Sequence, residues 1–386
     1  MDNHKENINL LNKKAIICTI ISHTPYCVNK DGSIVGLGPT VQEIDYLGTV
    51  FKKIYHCAPI HSYNPPKSYL KHKKNNIELI RLKPAGGPGF KKKIDHLIYF
   101  PYNLRKIKSC LKHSNMIHFR APTGIGVLLL PWIYLFWNKP VWIKYAGSWQ
   151  DKFSPITYKL QRWYLKKFPN NSKITINGEY EGLSKNFYNF INPCLNKKDF
   201  ELATNIAHKK SFKGKLELLF VGRLEKEKGL DDLFKLLEKD MDNNIDCLKI
   251  IGQSKYFKKY NNWASNLPVR VRFYGSLPRH EVFNHYAKSH ILILLSRSEG
   301  FPKVVMEAGA YGCVPILSKF NKFNHLIKNN VNGFIINDEG KFKNKSFNTI
   351  LSDRESLRLC SININEEAKN HTFEEYLRLV KHAILH

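Results

Sequence analysis

Ile291-Leu-Ile-Leu-Leu-Ser-Arg-Ser-Glu-Gly-Phe-Pro-Lys-Val-Val-Met-Glu-Ala-Gly-Ala-Tyr-Gly-Cys-Val-Pro-Ile-Leu-Ser318 decides the fold of this chain. Ile291–Leu295 is a short unbroken apolar run, which suits a strand buried on both faces of a parallel sheet. The chain then turns at Gly300 and enters a helix with Pro302 near its first position. Proline is tolerated there because that N–H has no helical partner anyway. Gly312 is the expected stop, and Val314–Leu317 reads as the next strand. Glu299 therefore sits on the strand-to-helix loop, and Glu307 about a turn and a half into the helix.

That placement has chemical content. Free N–H groups and the dipole at a helix start attract an anion. A diphosphate there would lie between two carboxylates, which repel phosphate but accept hydrogen bonds from sugar hydroxyls. The arrangement suits a nucleotide-sugar. Taken alone, Glu-x7-Glu is more often an ordinary surface loop, so the surrounding sequence must decide.

Upstream, Leu216–Val221, a helix from Leu230 to Glu238, Cys247–Ile251 and Val271–Tyr274 continue the same alternation. The first half repeats it. Lys14–Ile21 reads as a buried strand, Asp31–Thr40 as a glycine-bearing loop, and Val41–Phe51 as a helix with Val41, Ile44, Leu47 and Phe51 on one face. Gly36 and Gly38 would let backbone approach a ligand closely, although the loop fails the dinucleotide fingerprint G-x-G-x-x-G. Lys53–Ile60, Ile77–Leu82, Met116–Phe119 and Val141–Tyr145 are further strands. Such alternation predicts an α/β class with parallel sheets. Ser154–Phe168 reads as a basic amphipathic helix, core-facing with a solvated basic side, or else placed at a membrane surface. Phe190–Phe200 is a linker, and a last amphipathic helix starts at Thr372. The expected domains are residues 1–192, residues 193–368, and a closing helix, residues 369–386, packing back on the first.

Composition bounds the partners. A chain of 386 residues is long enough for two full cores. No apolar run reaches the roughly 18–20 residues of a membrane span. The nearest, Ile125–Ile143, is broken by Pro131, Asn138, Lys139 and Pro140. The polar N-terminus lacks a signal-peptide core. Eight cysteines without a C-x2-C pair argue against zinc or a disulfide framework, and a reducing cytoplasm fits. The formal charge is +29, and between Phe51 and Asn115 fifteen Lys/Arg face only Glu78 and Asp95. Such a field implies a polyanionic neighbour: nucleic acid, an anionic membrane surface or a phosphorylated substrate. No nucleic-acid motif is present, so nucleic acid is not the expected partner.

Phe220-Val-Gly-Arg-Leu-Glu-Lys-Glu-Lys-Gly-Leu230 follows the first strand of the second domain, which puts Arg223 and Lys228 where α/β ligands bind. With Tyr274-Gly-Ser-Leu-Pro278 and Ser298–Glu307, this order and spacing resembles the retaining GT-B glycosyltransferases of the "glycosyl transferases group 1", family 4 type. The resemblance covers nearly the whole second domain. It implies two Rossmann-like domains facing across a cleft and a nucleotide-diphosphate sugar donor, with no cofactor and no metal. Arg223 and Lys228 would hold the diphosphate. Glu299 would contact the transferred sugar. Backbone from Gly300 through Phe301, Pro302, Lys303 and Val304 would meet the phosphates, and Glu307 the ribose. Backbone near Gly252 and Tyr274 would meet the base. Phe373–Tyr376 looks like the family's returning segment.

The first domain departs from the family. Tyr145-Ala146 stand where a His pair is common, and His118 is the alternative catalytic group. The expected acceptor is a lipid-linked or other saccharide. The expected location is peripheral, at the inner face of the cytoplasmic membrane, in bacterial surface-polysaccharide assembly. The rival expectations are a nucleotide-sugar epimerase or a glycogen-phosphorylase-like enzyme of related fold, and a non-catalytic basic nucleic-acid-binding protein.

Overall fold

The computed structural model describes residues 16–86, 90–147, 149, 154–168, 172–239, 244–297, 301–319, 326–337 and 346–385, with backbone only for 90–93. The chain divides into two compact units, Met1–Phe190 with Leu377–His386, and Ile191–Tyr376.

In the first unit, β1 (Ile17–Ile21) is followed by β2 (Tyr26–Val28), β3 (Ile34–Leu37), β4 (Lys53–His61), β5 (Tyr69–Leu70) and β6 (Ile77–Leu82). β7 (Met116–Ala121), β8 (Val141–Tyr145), β9 (Ser172–Asn177) and β10 (Phe187–Phe190) complete it. The order β6-β4-β1-β7-β8-β9-β10 is parallel throughout. β2 adds to the far end of β4, and the antiparallel ladders β2/β3 and β3/β5 extend from it. The chain thus runs from its first strand to one side, then returns and runs to the other, which is the doubly wound arrangement. One face packs Ile21, Ile117, Phe119, Ile143 and Ile176 into an apolar core.

The glycine-bearing stretch is more structured than its sequence suggests. Ile34–Leu37 is a strand and the helix starts at Gly38. A Cβ on Gly36 would lie 2.4 Å from the Tyr26 ring, and one on Gly38 would lie 2.4 Å from the Ser68 carbonyl oxygen. The close approach these glycines permit is to the chain itself. The helix Ile156–Lys167 also differs from expectation. Ile156 is 81% and Trp163 55% exposed, whereas Gln161 and Leu165 are buried. Gln161 is drawn inward because its amide pairs with both the N–H and the C=O of Thr123, so the apolar stripe faces solvent and not the core.

The second unit holds β11 (Leu216–Val221), β12 (Ile245–Ile251), β13 (Arg270–Gly275), β14 (Ile291–Leu294), β15 (Val314–Ser318) and β16 (Phe334–Ile336). All pairs are parallel, in the order β13-β12-β11-β14-β15-β16. Numbered from its own first strand this is 3-2-1-4-5-6, the dinucleotide-fold order. The helix Arg354–Lys369 belongs here, since Ser361 donates to the Gly312 carbonyl and Asn365 to that of Ala310. The return to the first unit therefore comes at Leu377, later than residue 369. All eight cysteines are buried and unbridged.

Burial holds His56 and His118 well below the ordinary imidazole value. Burial, helped by Lys210, holds His290 at about 4. The unfolded chain therefore binds more protons than the folded chain below its own value of 6.5. Stability is full above that pH and falls as pH drops toward about 4. We expect the urea midpoint to fall steadily between these limits, and His290→Gln to make the fall shallower. A midpoint independent of pH would contradict the assignment.

Candidate functional site

The switch point of the second sheet lies between β11 and β14, whose helical crossovers depart in opposite directions. The loops that follow these two strands are tied together. Arg297 N–H donates to the Glu227 carbonyl at 3.0 Å, and Ser296 Oγ to that of Lys228 at 3.5 Å. Gly229 sits at φ +73°, and a Cβ there would lie 2.0 Å from the Leu295 carbonyl oxygen. The glycine of the Lys228-Gly229 pair is what lets the loops meet. Arg223 is well exposed and pairs with the rim carboxylate of Glu225, at 3.3 Å. The fork of Arg223 and the partly exposed ammonium of Lys228 are thus carried on one loop at the switch point.

Beside this loop, a cavity of about 530 Å³ is lined by Glu225, Gly252, Gln253, Ser254, Lys255, Phe257 and Gly275. It lies at the ends of β11, β12 and β13. Gly252 N–H donates to the Gly275 carbonyl, and Leu224 N–H to that of Gln253. Lys255 is a lining cation that sequence reasoning did not single out.

Glu299 and Gly300 lie outside the described residues. Phe301 and Pro302 enter the helix Lys303–Ala310, with Pro302 at the N-cap. Lys303 N–H bonds the Phe301 carbonyl at 3.0 Å, and the Phe301 ring packs on His371 at 5.1 Å. Val304 is partly buried in the first turn. Glu307 is more engaged than the sequence suggests. Its Oε1 accepts from Arg279 Nη2 at 3.0 Å and Nε at 3.3 Å, and its Oε2 accepts from Tyr286 at 3.4 Å. Arg279 also donates to the Cys194 carbonyl and packs on Phe283. The signal for Arg279 was weak: it starts a helix directly after Pro278.

In the first unit, His118 lies in mid-strand rather than at a strand end. It is fully buried and stacks on Trp142 at a centroid distance of 3.7 Å. Its Nδ1 lies 3.3 Å from the Trp142 carbonyl oxygen, and its Nε2 has no hydrogen-bond partner among the described residues. Tyr145 is buried on the opposite face, where its hydroxyl accepts from Arg162. Register puts His56, His118, Arg120 and Lys144 on one face of the sheet. The helix Gly38–Leu47 covers them and supplies Glu43, which takes Arg120 at 2.5 Å and Lys144 at 2.8 Å. The hint was a polar residue within each apolar strand run.

Glu217, Asp246 and Cys247 lie within 4.8 Å of one another. Lys249 and Arg270 already neutralise the two carboxylates, so the cluster offers little to a cation. The one Asp-x-Asp triplet, Asp240-Met241-Asp242, includes residues outside those described, and no role is assigned to it.

Residues 203–367 match the family model described as "Glycosyl transferases group 1". The second unit is a group 1 glycosyltransferase domain. An uncharacterized 41.2 kDa protein in the cps region of Klebsiella pneumoniae is 30% identical over 129 residues, 33% of this chain and 34% of that protein. An uncharacterized glycosyltransferase of Methanocaldococcus jannaschii is 28% identical over 160 residues, 41% and 44%. One of Haemophilus influenzae is 37% identical over 128 residues, 31% and 34%. The chain spans less than half the length of these curated relatives.

Similar solved structures include Anabaena HepE in complex with UDP and glucose, with TM-score 0.67, 12% identity, and 95% of this chain and 99% of that one covered. Thermosynechococcus elongatus sucrose-phosphate synthase gives 0.69 at 16%, covering 95% and 98%. The lipopolysaccharide outer core galactosyltransferase WaaB gives 0.60 at 15%, covering 95% and 98%. At these identities the likeness is one of fold, and the fold is GT-B.

The Arg279–Glu307 pair lies within the group 1 domain and is largely sheltered from solvent. Its side chains are 23% and 12% exposed, against 54% and 39% for Arg270–Asp246. Arg279→Ala is expected to cost about 1.5–3 kcal/mol in urea unfolding, as for a lost charge-assisted hydrogen bond. Arg270→Ala should cost about 0–1 kcal/mol, as for an exposed pair. Equal costs would mean that Glu307 is held by something else.

Proposed function

We propose that this chain is a glycosyltransferase that moves a sugar from a nucleotide-diphosphate sugar to an acceptor hydroxyl, with retention at the anomeric carbon. The observation that carries this is the switch point of the group 1 domain. There Arg223, Lys228 and the start of the helix Lys303–Ala310 share one end of the sheet with the cavity lined by Gly252, Lys255 and Gly275. The cavity takes the base, and the cations take the diphosphate. Positive charge fixed in advance lowers the cost of the negative charge that grows on the leaving diphosphate, and this proposal needs no metal. Glu299 meets the transferred sugar. Glu307, held by Arg279, presents its remaining lone pairs to the ribose. UDP is the first nucleotide to try, because the similar HepE was solved with UDP and with UDP-glucose.

The first unit takes the acceptor. The similar protein from a cps region and the lipopolysaccharide galactosyltransferase support a saccharide of the bacterial surface. An anionic membrane surface suits the +29 charge. Leu97 and Ile98 are each 62% exposed on the helix Phe90–Leu111, and Ile156 and Trp163 are exposed among Lys159, Lys166 and Lys167. Apolar side chains would enter the interface while lysines meet anionic headgroups. No helix among the described residues is long and apolar enough to cross a membrane, so docking would be peripheral.

Arg223→Ala and Lys228→Ala should each weaken UDP binding in calorimetry by about 1.5–3 kcal/mol. Unchanged affinity in both variants removes them from the site. A nucleotide present at about 100 times its Kd should stabilise the chain by about 2.7 kcal/mol, so a thermal-shift screen of UDP, GDP, ADP and their sugars identifies the base.

Vesicle co-sedimentation tests docking. Anionic lipid at low salt should retain the chain, neutral lipid should not, and Trp163→Asp should weaken retention. Equal retention on both lipids, or none, makes a soluble acceptor the better answer.

A further inference from the structure

We propose that the cavity of the group 1 domain selects nucleobases that carry an exocyclic oxygen, with the Phe257 ring stacking on the base and the Lys255 ammonium donating to that oxygen. The site then takes uridine and guanosine diphosphate sugars and disfavours those of cytidine and adenosine. The proposal rests on the function above and names the class of its nucleotide.

The order of the strands gives the cavity two ends. Glu225 follows β11, the lining residues from 252 to 257 follow β12, and Gly275 ends β13. These three strands lie side by side in that order. Two strand spacings, about 10 Å, separate the ends, which matches the length of a nucleoside. The β11 end carries Arg223 on the same loop as Glu225. A diphosphate held there leaves its base against the loops of β12 and β13.

Those loops are pinned in place. Gly252 N–H donates to the Gly275 carbonyl at 2.8 Å, and Leu224 N–H to the Gln253 carbonyl at 3.1 Å. Gly252 has φ +149°, and the Gly222 carbonyl leaves no room for a Cβ beside it. Ser254 Oγ accepts from the Tyr256 N–H at 2.8 Å, which closes the turn that carries Lys255. The Phe257 ring meets Phe273 edge-on, with centroids 5.3 Å apart and an interplanar angle of 81°. Phe273 lies two residues before Gly275 in β13, so the ring stands at the base end of the cavity. It is 45% exposed. An aromatic ring already fixed by a neighbour offers a stacking surface at a small cost in ordering.

Hydrogen-bonding capacity then sorts the bases. An ammonium has three donors and no acceptor. Lys255 is exposed, and its Nζ lies 4.9 Å from the centre of the Tyr256 ring. That contact draws on the ring face and leaves N–H groups for a ligand. Glu225 is the one acid among the lining residues, and its carboxylate is on Arg223 at 3.3 Å. The amide of Gln253 donates and accepts alike, so it does not discriminate. Lys255 is left to decide. Uracil and guanine present an oxygen that accepts, whereas cytosine and adenine present an amino group that donates. Two donors turned on each other leave both unpaired once the base covers them, and a site of that kind rejects the mismatched ligand.

Calorimetry on the full chain with UDP, GDP, CDP, ADP and inorganic pyrophosphate is the test. UDP and GDP should bind about five- to fiftyfold more tightly than CDP and ADP. Lys255→Met keeps an unbranched stem and removes the donors. It should erase that preference and leave pyrophosphate affinity unchanged. Phe257→Ala should weaken all four nucleotides by about 5–150-fold, again without affecting pyrophosphate, and Phe257→Trp should retain the binding. A preference for the amino bases, no preference, or a preference that survives Lys255→Met overturns the assignment while the diphosphate site stands. A loss in Lys255→Met that pyrophosphate shares equally also overturns it, because the lysine is then a counter-charge for phosphate. Unchanged nucleotide affinity in Phe257→Ala removes the stacking face. If neither the nucleotides nor pyrophosphate bind, the proposed function fails and the base assignment fails with it.

Discussion

A parallel sheet wound in both directions from its first strand must leave one gap in its cover. The crossovers on either side of that strand depart to opposite faces, and no connection bridges the strand ends between them. Both units meet this constraint, at β1/β7 and at β11/β14. Polar chemistry in each gathers at the gap. In the second unit it is a cationic loop and the cavity beside it. In the first it is a polar layer pressed between the sheet and the helix Gly38–Leu47. The fold fixes where a ligand has room, and the side chains decide what kind of ligand it is.

The second unit was the more legible half. Its strands are continuous apolar runs of ordinary length, and its loops carry charged residues at short, fixed spacings. Arg223, Lys228, Pro302 and Glu307 could be placed on the right elements from sequence. What could not be read was who holds Glu307. Arg279 lies 28 positions away in sequence, and only tertiary packing brings the two together. The first unit was less legible because its edge is built from strands of two to four residues, β2, β3, β5 and β10. Runs that short carry no measurable period.

The misplacements share one physical cause. A histidine near the end of an apolar run resembles a strand-end ligand group, yet β7 continues to Ala121 and leaves His118 inside. The helix Ile156–Lys167 carries an apolar stripe that ought to face inward by periodicity alone. One buried amide pairing, between Gln161 and Thr123, turns it the other way. Periodicity reports which residues share a face; hydrogen bonds to a neighbouring loop decide which way that face points.

Both flanks of the second unit in sequence belong to the first, since residues up to Phe190 and from Leu377 onward fold together. During synthesis the group 1 domain is therefore complete before its companion. The helix Phe373–Leu379 carries the chain across, and Lys173 waits to bond the Ile384 carbonyl. Nearly two hundred residues of the first unit leave the ribosome early and stay without their closing segment until an entire domain has been made in between. Domains form as units on a growing chain, so the strands of the first unit precede the segment from Leu377 by the whole of the second unit.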